Sequence, residues 1–160
     1  MNLIFDRDTK TILLPVEGED IDLDIVKNSA VRSDLLAKRE FHISIIVRET
    51  GALLSDADYD VAKILATKMD WSFVLEKEFY LIHKKYPEQE MRKSIIQLVS
   101  LPGLFDFYTQ LNGLIEKHFA VPFSHVTLYT NSTKKENELR GIGIYSRSNF
   151  DNLLPEKIGN

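Results

Sequence analysis

Two short stretches carry the residue types that could do chemistry together: His42-Ile43-Ser44-Ile45 and His125-Val126-Thr127-Leu128. Each reads histidine, β-branched apolar, hydroxyl, aliphatic, and the two histidines lie 83 residues apart in a chain of 160. On a β-strand, residues two apart project from the same face while the intervening ones project from the other. His42 and Ser44 therefore share a face, as do His125 and Thr127, and the aliphatic residues are left to enter a core. Two such strands brought together offer two imidazoles and two hydroxyls. A neutral imidazole can take a proton from water or a ribose hydroxyl while a protonated one gives a proton to a leaving oxygen. An unperturbed pKa of about 6.5 suits histidine to both tasks. The hydroxyls can donate to non-bridging phosphate oxygens, where charge gathers as phosphorus becomes five-coordinate. No step in this scheme requires a metal ion, and the expectation is of no metal and no other cofactor. The same histidines show no metal-binding spacing: there is no His-x-His and no cysteine.

The elements that must position these residues are legible in outline. Thr9 to Val16 is predicted as a short strand with Pro15 marking an edge position or its end, and Phe41 to Arg48 as a buried one, with a poorly patterned helix over Ile21 to Arg39 between them. Ser55 and Asp56 offer N-cap chemistry to a helix running to about Asp70, with Val61, Leu65 and Met69 on one face. Ser72 to Lys84 and Lys93 to Leu101 read as a hairpin across the polar loop YPEQEM. A helix from about Leu104 to Phe119 carries Leu104, Phe107, Leu111, Leu114 and Ile115 on one stripe. Two further strands are predicted at Ser124 to Thr130 and Leu139 to Ser146, and an irregular tail after Phe150. The recurrence of one motif at half the chain length points to two similar lobes within one domain over residues 1–160.

The paired motifs HISI and HVTL resemble those of the 2H phosphoesterase superfamily, which includes RNA 2',3'-cyclic phosphodiesterases and 2'-5' RNA ligase-like proteins. The resemblance covers about residues 41–146 and matches residue by residue only at the motifs. It implies an α+β fold of two pseudo-symmetric lobes, mainly antiparallel sheets flanked by helices, around a central cleft. It also implies that His42 and His125 are the catalytic pair and Ser44 and Thr127 the phosphate-holding hydroxyls. The expected activity is that of a metal-independent phosphodiesterase acting on a 2',3'-cyclic phosphate or 2'-5' linkage, with an RNA end or a small nucleotide as partner. The alternatives are a nucleotide or RNA-end binding module without turnover and a structural α+β interaction domain.

Weaker candidates follow from the strand faces. Tyr129 would share the face of His125 and Thr127 and could stack on a base, although an aromatic packing across the sheet fits the same position. In the stretch Gly141 to Arg147 the isoleucines would face the core, which puts both glycines, Tyr145 and Arg147 on the other side as further substrate contacts. His83 reads as solvated and His118 as a structural residue in the last turn of its helix. Arg92-Lys93 and Lys134-Lys135 read as loop charge. A formal net charge of -4 argues against broad binding to duplex DNA. The chain lacks cysteine, a secretory leader and any apolar run of membrane-spanning length, which predicts no membrane partner and a cytoplasmic setting.

Overall fold

Alternation of apolar and polar residues sets each motif strand on the boundary between core and cleft. In the computed structural model, which describes residues 2–159, Phe41–Ile46 forms a strand whose Ile43 and Ile45 are buried while His42 and Ser44 are half-buried on the opposite side. His125–Ser132 behaves alike, with Val126 and Leu128 buried and His125 and Thr127 half-buried. Among the described residues the fold is α+β, built on two antiparallel sheets and five α-helices. The strands, in chain order, are β1 (Ile4–Asp6), β2 (Thr11–Val16), β3 (Leu36–Ala37), β4 (Phe41–Ile46), β5 (Val74–Lys85), β6 (Met91–Ser100), β7 (His125–Ser132) and β8 (Glu156–Ile158). The helices are α1 (Lys27–Arg32), α2 (Arg48–Gly51), α3 (Asp56–Thr67), α4 (Gly103–Ile115) and α5 (Arg147–Asn152). One sheet has the order β1-β2-β4 and the other β3-β7-β6-β5-β8.

The two sheets repeat a single plan. Each begins with a hairpin, β1-β2 or β5-β6, passes through a helical connection, and returns with a motif strand that pairs antiparallel with the second hairpin strand. The register repeats as well. His42 lies opposite Pro15 and Ser44 opposite Leu13, while His125 lies opposite Leu98 and Thr127 opposite Ile96. Every one of these residues is displaced from its counterpart by the same 83 positions that separate the histidines. Both motif strands also bulge at the same place. Ile12 and Leu13 face Ile46 and Ser44, leaving Ile45 extra; Ile95 and Ile96 face Tyr129 and Thr127, leaving Leu128 extra. A bulge is a local device that bends a strand and re-aims the residues beyond it. Its recurrence at the fourth motif position is independent support for pseudo-symmetric halves. The halves are unequal in size, because β3 crosses from the first to pair with β7 and β8 adds to the far edge of β5.

A continuous apolar cluster lies between the sheets, with Leu14, Ile43 and Ile45 from one, Val126, Leu128 and Phe79 from the other, and Tyr59, Phe107, Tyr108 and Leu111 from α3 and α4. The Ser55 hydroxyl caps α3 by accepting from the Asp58 amide at 3.0 Å, as its sequence position predicts. The Tyr108 hydroxyl donates to the carbonyl of Ile45 at 2.6 Å, so the buried phenol ties α4 to the bulge of β4. A smaller cluster of Ile82, Ile96, Leu98, Ile142, Ile144 and Phe150 covers the other face of the larger sheet.

Four expectations are corrected. The helix over Ile21 to Arg39 is a 3-10 turn, the short α1 and then β3, with Asp34 left-handed at φ 55°. The helix predicted to reach Phe119 ends at Ile115, where Glu116 takes φ 54°; Leu114 is exposed and His118 lies beyond the helix. Leu139 to Ser146 is not a strand. On the free edge of β7 the Tyr129 and Thr130 positions pair with β3, and the outer edge of β5 pairs with β8. The tail is ordered as α5, capped by the Ser146 hydroxyl, and β8. Among the described residues no helix is long and apolar enough to cross a membrane.

Candidate active site

The two half-buried faces of β4 and β7 meet in one cleft of about 510 Å³, and His42, Ser44, His125 and Thr127 all line it. The imidazoles are held differently. His125 Nδ1 lies 2.8 Å from the carbonyl oxygen of Phe123. A carbonyl can only accept, so Nδ1 carries the proton, and in the neutral ring Nε2 is the free acceptor. Burial lowers the pKa of His125, and the bond to Phe123 works in the opposite direction by favouring the charged ring. His42 is pushed down to about 4, chiefly by burial, then by the Lys38 ammonium and by His125 itself. Both rings are therefore neutral near pH 7, and a bound anion would favour protonation of either.

The remaining wall comes from segments outside the motifs. Residues 139–144 form an irregular strip held down by Ile142 and Ile144 in the smaller core, as their alternation predicts. Its backbone lies close to the site: a β-carbon on Gly141 would stand 3.1 Å from Thr127 Oγ1, and one on Gly143 only 2.6 Å from a Glu49 carboxylate oxygen. The glycines thus admit the strip itself against Thr127 and Glu49.

Cations are concentrated in this cleft although the whole chain is acidic: Lys38, Arg48, Arg92 and Arg140 line it against Asp6 and Glu49. Arg92 is a strand residue, not loop charge. Its guanidinium makes two hydrogen bonds to the buried Glu90 carboxylate, at 2.9 and 3.2 Å, and sits 3.9 Å from the centre of the Tyr86 ring. Glu90 also accepts from the Ser132 hydroxyl at 2.6 Å and from Asn137 Nδ2 at 2.9 Å. Held chiefly by Arg92 and Ser132, its carboxyl is lowered to about 2. Nothing in the spacing of the YPEQEM hairpin announces this hub. Arg48 and Glu49 could have been suspected because they directly follow the first motif strand.

Three predicted contacts do not line the cleft. Tyr129 comes after the bulge at Leu128, which turns it off the face of Thr127; it is buried and its hydroxyl donates to the Leu23 carbonyl at 3.3 Å. Tyr145 is exposed, with the Lys84 ammonium 5.7 Å from its ring centre. Arg147 opens α5, pairs with Asp151 at 3.3 Å and lies over Phe123. His83 is exposed on β5. Among the described residues no cluster of three or more histidine, aspartate or glutamate side chains is arranged to hold a metal ion. No protein-family model and no curated protein matches the chain.

Proposed function

We propose that the chain is a phosphodiesterase of the two-histidine type, acting on a 2',3'-cyclic phosphate or a 2'-5' linkage at an RNA end or in a small nucleotide. The observation that carries this reading is the convergence of two His-x-Ser/Thr strands, in the same register and with the same bulge, on one cation-lined cleft. The resemblance of both motifs to those of 2H phosphoesterases agrees with it. In hydrolysis of a cyclic phosphate, water attacks phosphorus and gives its proton to the neutral imidazole. The other imidazole, protonated, supplies a proton to the ribose oxygen as its bond to phosphorus breaks, and the product is a phosphate monoester. Ser44 and Thr127 donate to the non-bridging oxygens. Acid and base are both imidazoles, so neither proton transfer passes through a metal-bound group. A chain without cysteine suits the reducing cytoplasm for this work.

The reading is tested with a short RNA ending in a 2',3'-cyclic phosphate, incubated with the protein in EDTA across pH 4 to 9. The expected outcome is conversion to a single monoester product with a bell-shaped dependence of kcat/KM on pH. Absence of product at every pH, with the RNA bound, would replace hydrolysis by simple binding.

A further inference from the structure

Lys38 stands four residues before His42, at the point where the chain leaves β3 and turns into β4. Its position is pinned twice to the second half of the molecule. The backbone amide donates to the Leu128 carbonyl on β7 at 2.8 Å, and Nζ donates to the Leu139 carbonyl at 2.7 Å. The side chain is half-buried and lines the same cleft as both imidazoles. Among the described residues no carboxylate lies within 4.0 Å of its ammonium, in contrast to Arg92, Lys117 and Lys134, each of which has one. An ammonium has three donors, and the Leu139 carbonyl uses one. A partly desolvated cation with donors to spare and no carboxylate paired with it is a receptor for an anion, and Ser44 lines the same cleft.

We propose that Lys38 is a third working group of the cleft, an ammonium that binds the substrate phosphate beside His42 and leaves that imidazole the proton acceptor. This rests on the reading of the cleft as a phosphate site. The role of acceptor then falls to His42 because two cations face it or stand behind it: Lys38 from the β3-β4 turn and, when charged, His125 from β7. The other charged groups lining the cleft are Asp6 on β1, Arg48 and Glu49 on α2, Arg92 on β6 and Arg140 on the strip. Glu40, beside Lys38, favours the charged lysine, whose pKa burial lowers. His125, bonded through Nδ1 to a carbonyl that steadies the charged ring, is left as the proton donor.

The test is titration of inorganic phosphate into the wild type, Lys38→Gln, Lys38→Met and Lys38→Arg, following the His42 ring protons by NMR. The Gln variant keeps a donor for the Leu139 carbonyl and loses the charge; the Met variant loses both. The expected result is phosphate binding weakened about tenfold or more by Gln and by Met alike, as loss of one charged hydrogen bond implies. In both variants His42 would titrate about half a unit or more higher, and Arg would keep phosphate binding and the His42 titration close to wild type. Unchanged phosphate affinity and unchanged His42 titration in Lys38→Gln would overturn the proposal, as would a wild type that binds no phosphate. Both readouts are independent of turnover. Lysine-dependent phosphate binding without hydrolysis of any phosphodiester would thus remove the hydrolase reading alone, and hydrolysis with phosphate binding indifferent to Lys38 would remove the lysine alone.

Discussion

His42 and His125 have the same neighbours in sequence but different surroundings in space. His125 is locked by a backbone carbonyl and His42 is shadowed by an ammonium. The motif made the pair legible, because type and spacing alone place an imidazole and a hydroxyl on one strand face. It could not make their difference legible, since Phe123 acts through its backbone and Lys38 through a turn. The difference has a consequence for stability. His42 titrates near 4 in the fold and near 6.5 in the unfolded chain, so between those values the unfolded state binds more protons. Stability is therefore full above about pH 6.5 and falls as the pH drops through 4, by up to about 3 kcal/mol from this residue at about 1.4 kcal/mol per pKa unit. His125 adds to the loss in the same direction. Urea unfolding between pH 7 and 4.5 should show a shallower pH dependence for His42→Asn than for wild type, and equal slopes would contradict the buried, neutral imidazole.

At the scale of elements, the strands of the core were readable and the elements that close the cleft were not. β4, β6, β7 and α3 follow from apolar spacing and one serine cap, all local features. The strip at 139–144 has the alternation of a strand, and its isoleucines are buried accordingly, but whether it pairs depends on which sheet edges are vacant. The two-residue β3, too short to show a pattern, takes that edge. Tyr129 packs into the core for a related reason, since one bulged residue reverses every face beyond it. Asn137, just before the strip, is bonded to Glu90, which lies in the β5-β6 turn and is also bonded to Arg92 and Ser132. Glu90→Gln leaves Arg92 without its counter-charge and should lower stability, measured by chemical unfolding at pH 7. The loss should shrink as the pH falls from 4.5 towards 2, where the wild-type carboxyl itself protonates. A variant as stable as wild type at pH 7 would show that the hub is incidental.

For the molecule as a whole, the repeat is the strongest inference available from sequence, and it extends beyond the motifs that revealed it. The second strands of the two hairpins, the two returning strands and their two bulges follow one plan at a spacing of 83 residues, which brings two half-sites to one cleft beside a shared core. Charge is divided in the same spirit: the chain carries a net -4, yet four cations line the cleft against two carboxylates. Such a field favours an anionic substrate inside the cleft and disfavours polyanions elsewhere on the surface. In the proposed reaction the two imidazoles divide the acid and base roles on one phosphodiester. This division is tested most directly by the rate of hydrolysis of a 2',3'-cyclic phosphate RNA end in EDTA by the wild type, His42→Ala and His125→Ala. Turnover by the wild type and a loss of about 100-fold or more in each single variant are expected, with all three proteins folded; wild-type rates in either variant would overturn the two-imidazole reaction.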